Sequence, residues 1–247
     1  MKEITPQQLA ELIRQSRRAV ALTGAGISVE SGIPSFRGAG GLWQRYNPME
    51  YATIQALRQN PVKVWTMLKE LDETITRARP NPAHYALAEL EARGHLMGII
   101  TQNVDNLHQA AGSCKVVEYH GNARRFVCLA CQGQHPRESL DFNKTPLYCP
   151  CGGLIKPDVV FFGEPIPPQT QEEAQELAQS CDLLLIIGTS GEVSPANYLP
   201  YTAKEWGAII VENNLEPTVL TRTLTHHFLP GPAGQMLPKV IEGLGKV

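Results

Sequence analysis

The sequence predicts an α/β protein built on a mostly parallel sheet, with a small module of different composition set into it. Three observations carry that expectation. Short apolar runs at 19–22, 96–101, 115–119, 159–162, 183–187 and 208–212 alternate with stretches of helical period, the pattern of a parallel sheet with helices on its faces. The first run enters a glycine-rich turn, T-G-A-G-I-S at 23–28, an arrangement that lets a backbone come close to a diphosphate. From Arg124 to Pro157 the periodic runs stop, and cysteines, prolines and polar residues take over.

The elements follow in order. Thr5 and Pro6 are N-cap and first-position signals for a helix over 6–18 that aligns Leu9, Leu12 and Ile13. After the glycine turn, which should open a helix, Gly32, Pro34 and Gly38 break the chain into a loop. Residues 42–78 read as helical around Trp43, Tyr46, Leu57, Val64, Trp65, Leu68 and Leu71. Residues 82–93 form an amphipathic helix ended by Gly94, and further helices are expected near 105–111, over 168–180 and over 232–243.

With 247 residues the chain can hold one large domain, or a large and a small one. Lys and Arg total 22 against 24 Asp and Glu, which gives no electrostatic footprint for direct binding of nucleic acid or an anionic membrane. No apolar run approaches the roughly 18 residues of a membrane span, and the N-terminus has no signal core, so a cytoplasmic protein is expected. Four of the six cysteines fall in two close pairs, Cys128/Cys131 and Cys149/Cys151, a spacing that reads as metal before disulfide. Four thiolates satisfy zinc tetrahedrally and leave no open position, so the expected Zn²⁺ is structural. Gly152-Gly153 gives the backbone latitude to close that site, and Cys114 and Cys181 read as buried thiols.

The richest stretch runs from Ile99 to Gly121. One apolar run stops at Thr101, Gln102, Asn103 and Asp105; a second stops at His120-Gly121. Carboxyl ends of parallel strands are where ligands bind, so both stops point to one site. The amides and the carboxylate suit a carboxamide and ribose hydroxyls better than a phosphate, which favours Arg or Lys. His120 is placed to move a proton near neutral pH, whereas His108, on a helical face with Leu107 and Ala111, reads as a packing residue. A dehydrogenase is disfavoured: Val29 stands where a third glycine is expected, and no acid falls near 43–47 to hold a ribose.

Taken together, G-A-G-I-S-V-E-S-G-I-P-S-F-R, T-Q-N-V-D-N-L-H, H-G, the cysteine quartet, K-P-D-V-V-F-F-G-E, G-T-S-G-E-V-S-P-A and E-N-N-L-E-P-T resemble the sirtuins, the NAD-dependent protein lysine deacylases, over nearly the whole chain. The resemblance implies a Rossmann-like parallel sheet domain (1–38, 81–123 and 158–247). It also implies a small domain made of a zinc ribbon (124–157, ligands Cys128, Cys131, Cys149 and Cys151) plus a helical insertion (39–80). NAD would be the cosubstrate and acetylated-lysine proteins or peptides the partners. Gly24, Ala25, Gly26, Ser28 and Val29 would lie along the phosphates, with Phe36 and Arg37 in the cofactor loop. Gln102, Asn103, Val104, Asp105 and His120 would line the nicotinamide riboside pocket. Gly188, Thr189, Ser190, Asn214 and Ala233 would hold the adenosine half, the E-x-N-x-E-P-T pattern favouring Asn214 over the adjacent Asn213.

On the same basis Val160, Phe161, Phe162, Gly163, Glu164 and Val193 would pair with the substrate backbone. His120 and Asn103 would be catalytic. The acyl oxygen would displace nicotinamide, and His120 would act as general base on a ribose hydroxyl, giving free lysine, nicotinamide and O-acetyl-ADP-ribose. Sirtuins that prefer succinyl or malonyl groups carry a Tyr-x-x-Arg pair where this chain has Leu68 and Leu71, so acetyl and longer apolar acyl groups are expected. ADP-ribosyl transfer, and a non-catalytic NAD sensor, are the competing readings.

Overall fold

A computed structural model describes residues 1–36 and 40–245. Among these, ten strands occur in chain order: β1 (Lys2–Glu3), β2 (Ala19–Thr23), β3 (Gly98–Thr101), β4 (Val116–Glu118), β5 (Gly121–Cys128), β6 (Gln134–Pro136), β7 (Ile155–Val159), β8 (Leu183–Ile187), β9 (Ile209–Asn214) and β10 (His227–Pro230). Seven form one sheet in the order β1-β10-β9-β8-β2-β3-β4, with every pairing parallel. From β2 the chain steps outward through β3 and β4, then resumes on the other side of β2 with β8, β9 and β10. The gap above the carboxyl ends of β2 and β8 is therefore a topological switch point, where open α/β sheets take their ligands.

Both faces of the sheet are covered, which is why its strands read as unbroken apolar runs. Ala21, Leu185 and Ile187 pack on one face under the helices Pro6–Gln15, Pro82–Ala92 and Ala233–Leu244. Val20, Leu22, Leu184 and Ile186 pack on the other, under Pro168–Ser180 and Leu199–Glu205. Each such Val, Leu or Ile contributes about 1.5–3 kcal/mol on burial, so this layer is held by its own apolar core.

The second layer is a small antiparallel sheet, β6-β5-β7. The helical insertion packs on it in four pieces, Leu42–Arg45, Pro48–Tyr51, Ile54–Gln59 and Pro61–Arg77. Asn47 and Asn60 cap the turns that Pro48 and Pro61 begin, so each proline restarts the helix. Val64, Trp65 and Leu68 of the longest piece meet Phe126, Leu147 and Ile155. A guanidinium fork from Arg137, with Nε donating to Oδ1 of buried Asp72 at 2.8 Å, ties that helix to the residues after β6.

The structure corrects several expectations. The strand expected over 159–162 lies earlier, at β7. Pro157 is tolerated there because β7 is an edge strand and Pro157 faces Phe126 beside a register shift. The glycine turn opens a 3₁₀ helix, Ala25–Ser31, in place of an α-helix. The flanking strands β1 and β10 were not anticipated, being two and four residues long. Cys181 is buried as expected, but Cys114 is exposed.

Candidate functional site

The two glycine turns at the switch point interlock. Gly24 N–H donates to Ile187 O at 3.0 Å and Gly26 N–H to Gly188 O at 2.8 Å. A Cβ on Gly24 would lie 2.7 Å from Thr189 Cβ, and one on Gly26 would lie 2.7 Å from Gly188 Cα. Gly188 itself has φ +63°, and a Cβ there would strike Ile27 N at 2.4 Å. These glycines bring the ends of β2 and β8 together and present both turns to one cleft.

Behind that cleft the amide knot is wired to the sheet. Thr23 Oγ1 donates to Thr101 Oγ1 at 2.8 Å, which in turn accepts from Asn103 N–H at 3.1 Å. Asn103 Nδ2 donates to Gly24 O and to Ser28 Oγ, both at 3.1 Å, so its carbonyl oxygen is the open edge of the amide. Ser28 Oγ donates to Asp105 Oδ2 at 2.7 Å, and Leu107 N–H caps the other carboxylate oxygen at 2.9 Å. Burial pushes the Asp105 carboxyl above its ordinary range. His84 Nε2 lies 3.4 Å from Ser28 Oγ, His108 Nε2 lies 2.9 Å from Thr23 Oγ1, and the two rings are 5.0 Å apart. Burial lowers these imidazoles to about 4 and about 3, so both are neutral.

His120 occupies the joint between layers, just past β4 and immediately before β5. Its Nδ1 meets Gln102 O at 3.1 Å. A carbonyl only accepts, so Nδ1 carries the hydrogen and Nε2 holds the lone pair. Burial depresses the imidazole below its usual value, which keeps it unprotonated at neutral pH. Gly121 follows at φ +81°, where a Cβ would lie 2.1 Å from Asp158 O; only glycine allows β5 to start against β7 there.

These elements enclose a cavity of about 450 Å³. From the large layer Gly24, Ala25, Gly26, Gln102, Asn103, Val104, His120, Gly188, Thr189, Ser190 and Asn214 line it; from the other side Phe36, Val160, Phe161, Phe162, Gly163, Glu164 and Val193 do. Ser28 and Asp105 stand one shell back, bonded to Asn103 or to each other as above. Ala233 is buried in the core at the start of its helix and Val29 is exposed; neither is in the cavity wall. Arg37 lies outside the described residues. Of the two adjacent asparagines, Asn213 is buried and donates to Leu229 O and Gly231 O, whereas Asn214 reaches the cavity.

Leu42, Trp43, Met67, Leu68, Leu71 and Thr218 also line the cavity. Trp43 reads from sequence as helix packing, but its ring lies 5.2 Å from Phe36 and 6.4 Å from Phe162. Glu164 Oε2 accepts from Phe161 N–H at 2.9 Å and pairs with buried Lys156 at 3.1 Å.

The four cysteine sulfurs lie within 4.8 Å of one another, with Cys128–Cys151 at 3.6 Å and Cys131–Cys149 at 3.8 Å. Zinc bonds of ~2.3 Å put tetrahedral sulfurs about 3.8 Å apart, so donor set and spacing both fit one zinc ion. A Cβ on Gly153 would strike Cys128 Sγ at 2.5 Å, which explains the glycine beside the second pair.

Fold and site together define a Rossmann-like nucleotide-binding protein with a cysteine-clasped accessory layer. The family model described as the Sir2 family matches residues 24–195, and the chain belongs to that family. It is 50% identical over 234 residues to NAD-dependent protein deacylase 2 of Pyrobaculum aerophilum, covering 95% of this chain and 94% of that one. It is 45% identical to the NAD-dependent protein deacylase of Pyrococcus furiosus, covering 97% and 98%. Among solved structures, a Sir2 homologue–NAD complex superimposes with a TM-score of 0.91 at 41% identity, over 98% of this chain and 95% of that one. A histidine-to-alanine Sir2 variant with a deacetylated p53 peptide and 3′-O-acetyl ADP ribose gives 0.92 at 34% identity, over 97% and 98%.

Proposed function

We propose that this chain, an NAD-dependent protein deacylase by family and site, uses His120 as its general base and Asn103 as the group that orients the reacting riboside. The observation that carries this reading is the state of His120: Nδ1 is committed to Gln102 O, and the ring is neutral and lines the cavity. A neutral imidazole with one nitrogen committed is ready to take a proton on the other. Bound NAD supplies a ribose carbon that exchanges nicotinamide for the acyl oxygen, and a hydroxyl that carries the acyl group away from lysine.

The chain's own residues do the rest. The two glycine turns offer a close backbone approach for the diphosphate, and the Asn103 carbonyl accepts a hydrogen bond from the nicotinamide riboside. Asn214, Thr189 and Ser190 hold the adenosine half. On the substrate side most of the backbone edge is occupied. Val160 N–H donates to His120 O and Phe162 N–H to Ala52 O, while Phe162 O accepts from Ile54 N–H. Among the described residues, the Val160 carbonyl and the peptide groups of Gly163 have no backbone partner and would pair with an acyl-lysine peptide. Leu42, Trp43, Met67, Leu68 and Leu71 supply an apolar lining for the acyl chain, and no Lys or Arg is among the described residues of the wall to receive a succinyl carboxylate.

The test is mass spectrometry of an acetyl-lysine peptide incubated with and without NAD, for wild type and His120→Ala. Expected are NAD-dependent loss of acetyl with O-acetyl-ADP-ribose in wild type, and neither in the folded variant. Deacetylation by the variant at the wild-type rate overturns the role of His120. ADP-ribose attached to protein in place of deacetylation overturns the assigned reaction.

A further inference from the structure

Glu212 is fully buried in β9, and among the described residues no cation pairs with it. Its four hydrogen-bond partners are neutral. Oε1 accepts from Asn214 Nδ2 at 2.9 Å and from Thr218 Oγ1 at 2.6 Å; Oε2 accepts from Thr221 Oγ1 at 2.5 Å and Thr225 Oγ1 at 3.1 Å. The direction of these bonds is set locally. Thr218 Oγ1 accepts Leu220 N–H at 3.1 Å and Thr221 Oγ1 accepts Thr218 N–H at 2.7 Å, as the capping box of the helix Val219–Thr223. With an accepting position filled on each, both hydroxyls are free to direct their protons at the carboxylate. Burying an acid without a counter-ion is costly, and four converging donors offset that cost.

The consequence falls on Asn214. Its amide lies between Glu212 Oε1 and Thr189 O, the latter at 3.0 Å, and both are acceptors. The NH₂ end must face them, because an amide oxygen cannot donate to an acceptor. Oδ1 is then the edge of Asn214 left for the cavity this residue lines. An exposed carbonyl backed by a buried negative charge welcomes a hydrogen-bond donor and repels an anion. No Lys or Arg lies among the described residues of the cavity wall to reverse that preference.

We propose that Glu212 is a positioning and specificity-determining residue: by fixing the Asn214 amide it makes this end of the cavity accept a free ribose hydroxyl on the adenosine half and refuse a phosphorylated one. This rests on the proposed placement of the adenosine half at Asn214. Glu212 touches no ligand itself and acts through Asn214.

Calorimetric titration with ADP-ribose and 2′-phospho-ADP-ribose tests it without turnover. Wild type is expected to prefer the unphosphorylated ligand by about 100-fold or more, and Glu212→Gln, neutral and of the same size, to narrow the ratio to about tenfold or less. The KM for acetyl peptide is expected to stay unchanged. An unchanged ratio in folded Glu212→Gln leaves the residue a structural role only and overturns the proposal. Should that variant not fold, the wild type decides with ADP-ribose carrying fluorine for the 2′ or the 3′ hydroxyl of the adenosine ribose. Fluorine cannot donate to Oδ1, so at least one analogue should bind about tenfold more weakly than ADP-ribose, and binding of both with the affinity of ADP-ribose overturns the proposal. Absence of ADP-ribose binding by wild type overturns the functional reading itself, and this inference with it.

Discussion

The two walls of the cavity are made of opposite materials. On the large-sheet side lie amides, hydroxyls and the His120 imidazole, with Asn103 and His120 held by hydrogen bonds to groups at the strand ends. On the small-layer side lie Leu42, Trp43, Met67, Leu68 and Phe161, which offer almost no polar atoms. The layers behind them differ in the same way. The parallel sheet closes its own two-faced core, whereas the three-stranded sheet leans on the helical insertion and on four cysteines. Under the proposed function the contrast is a division of labour: one wall recognises and moves protons, and the other excludes water and sorts acyl groups.

The largest effect should come from the polar wall. His120→Ala is expected to cost on the order of 10³-fold in kcat for deacetylation, with zinc content and thermal midpoint unchanged. Next is the support of the apolar wall. Cys151→Ser should lose the zinc and release amide protection in β5 and β7, while β2 and β8 keep theirs; hydrogen exchange read by mass spectrometry distinguishes the two layers. Equal loss in both layers would break the division drawn above.

A smaller effect should come from rewriting the apolar wall. Leu68→Tyr with Leu71→Arg should shift the ratio of kcat/KM for succinyl over acetyl peptide by about tenfold or more towards succinyl, by giving the carboxylate a partner. The smallest concerns the acid sensitivity of the buried network behind the polar wall. His84 and His108 have folded values of about 4 and about 3, below the unfolded value of 6.5. The unfolded chain therefore takes up protons first. The stability these neutral rings contribute is complete above pH 6.5 and is lost as pH falls towards those values. His108→Gln, which can keep the bond to Thr23 without titrating, should flatten part of that acid limb in urea unfolding measured between pH 7 and 4.

Much of this architecture is legible in the sequence, because the central strands are buried on both faces and their apolar runs at 19–22, 183–187 and 208–212 have no competing reading. The cysteine cluster is equally legible, since spacing and chemistry point the same way. What escapes is decided by partners far along the chain. β10 is four residues ending in Pro230 and acquires its strand character from β1 and β9. β7 hides behind Lys156-Pro157-Asp158, which looks like a turn until β5 pairs with it. At the site, Gly24 and Gly26 are visible as a nucleotide-type turn, but their contact with Gly188 requires the sheet order. Glu212 is unreadable for the same reason: an acid in an apolar strand gives no hint of three threonines arriving from the following turn.

His120 has one further consequence. Its backbone is the chain's passage from the large sheet into the small one, its carbonyl accepts from Val160 N–H at 2.9 Å, and its ring is tethered to Gln102 of the large sheet. The residue is thus riveted to both plates at once. Any slippage of one plate over the other therefore acts on His120 from both sides. If His120 is the base, as proposed, alignment of the layers and its readiness are a single mechanical variable, and the distant cysteine cluster, by setting the pose of β5, holds one end of the rivet.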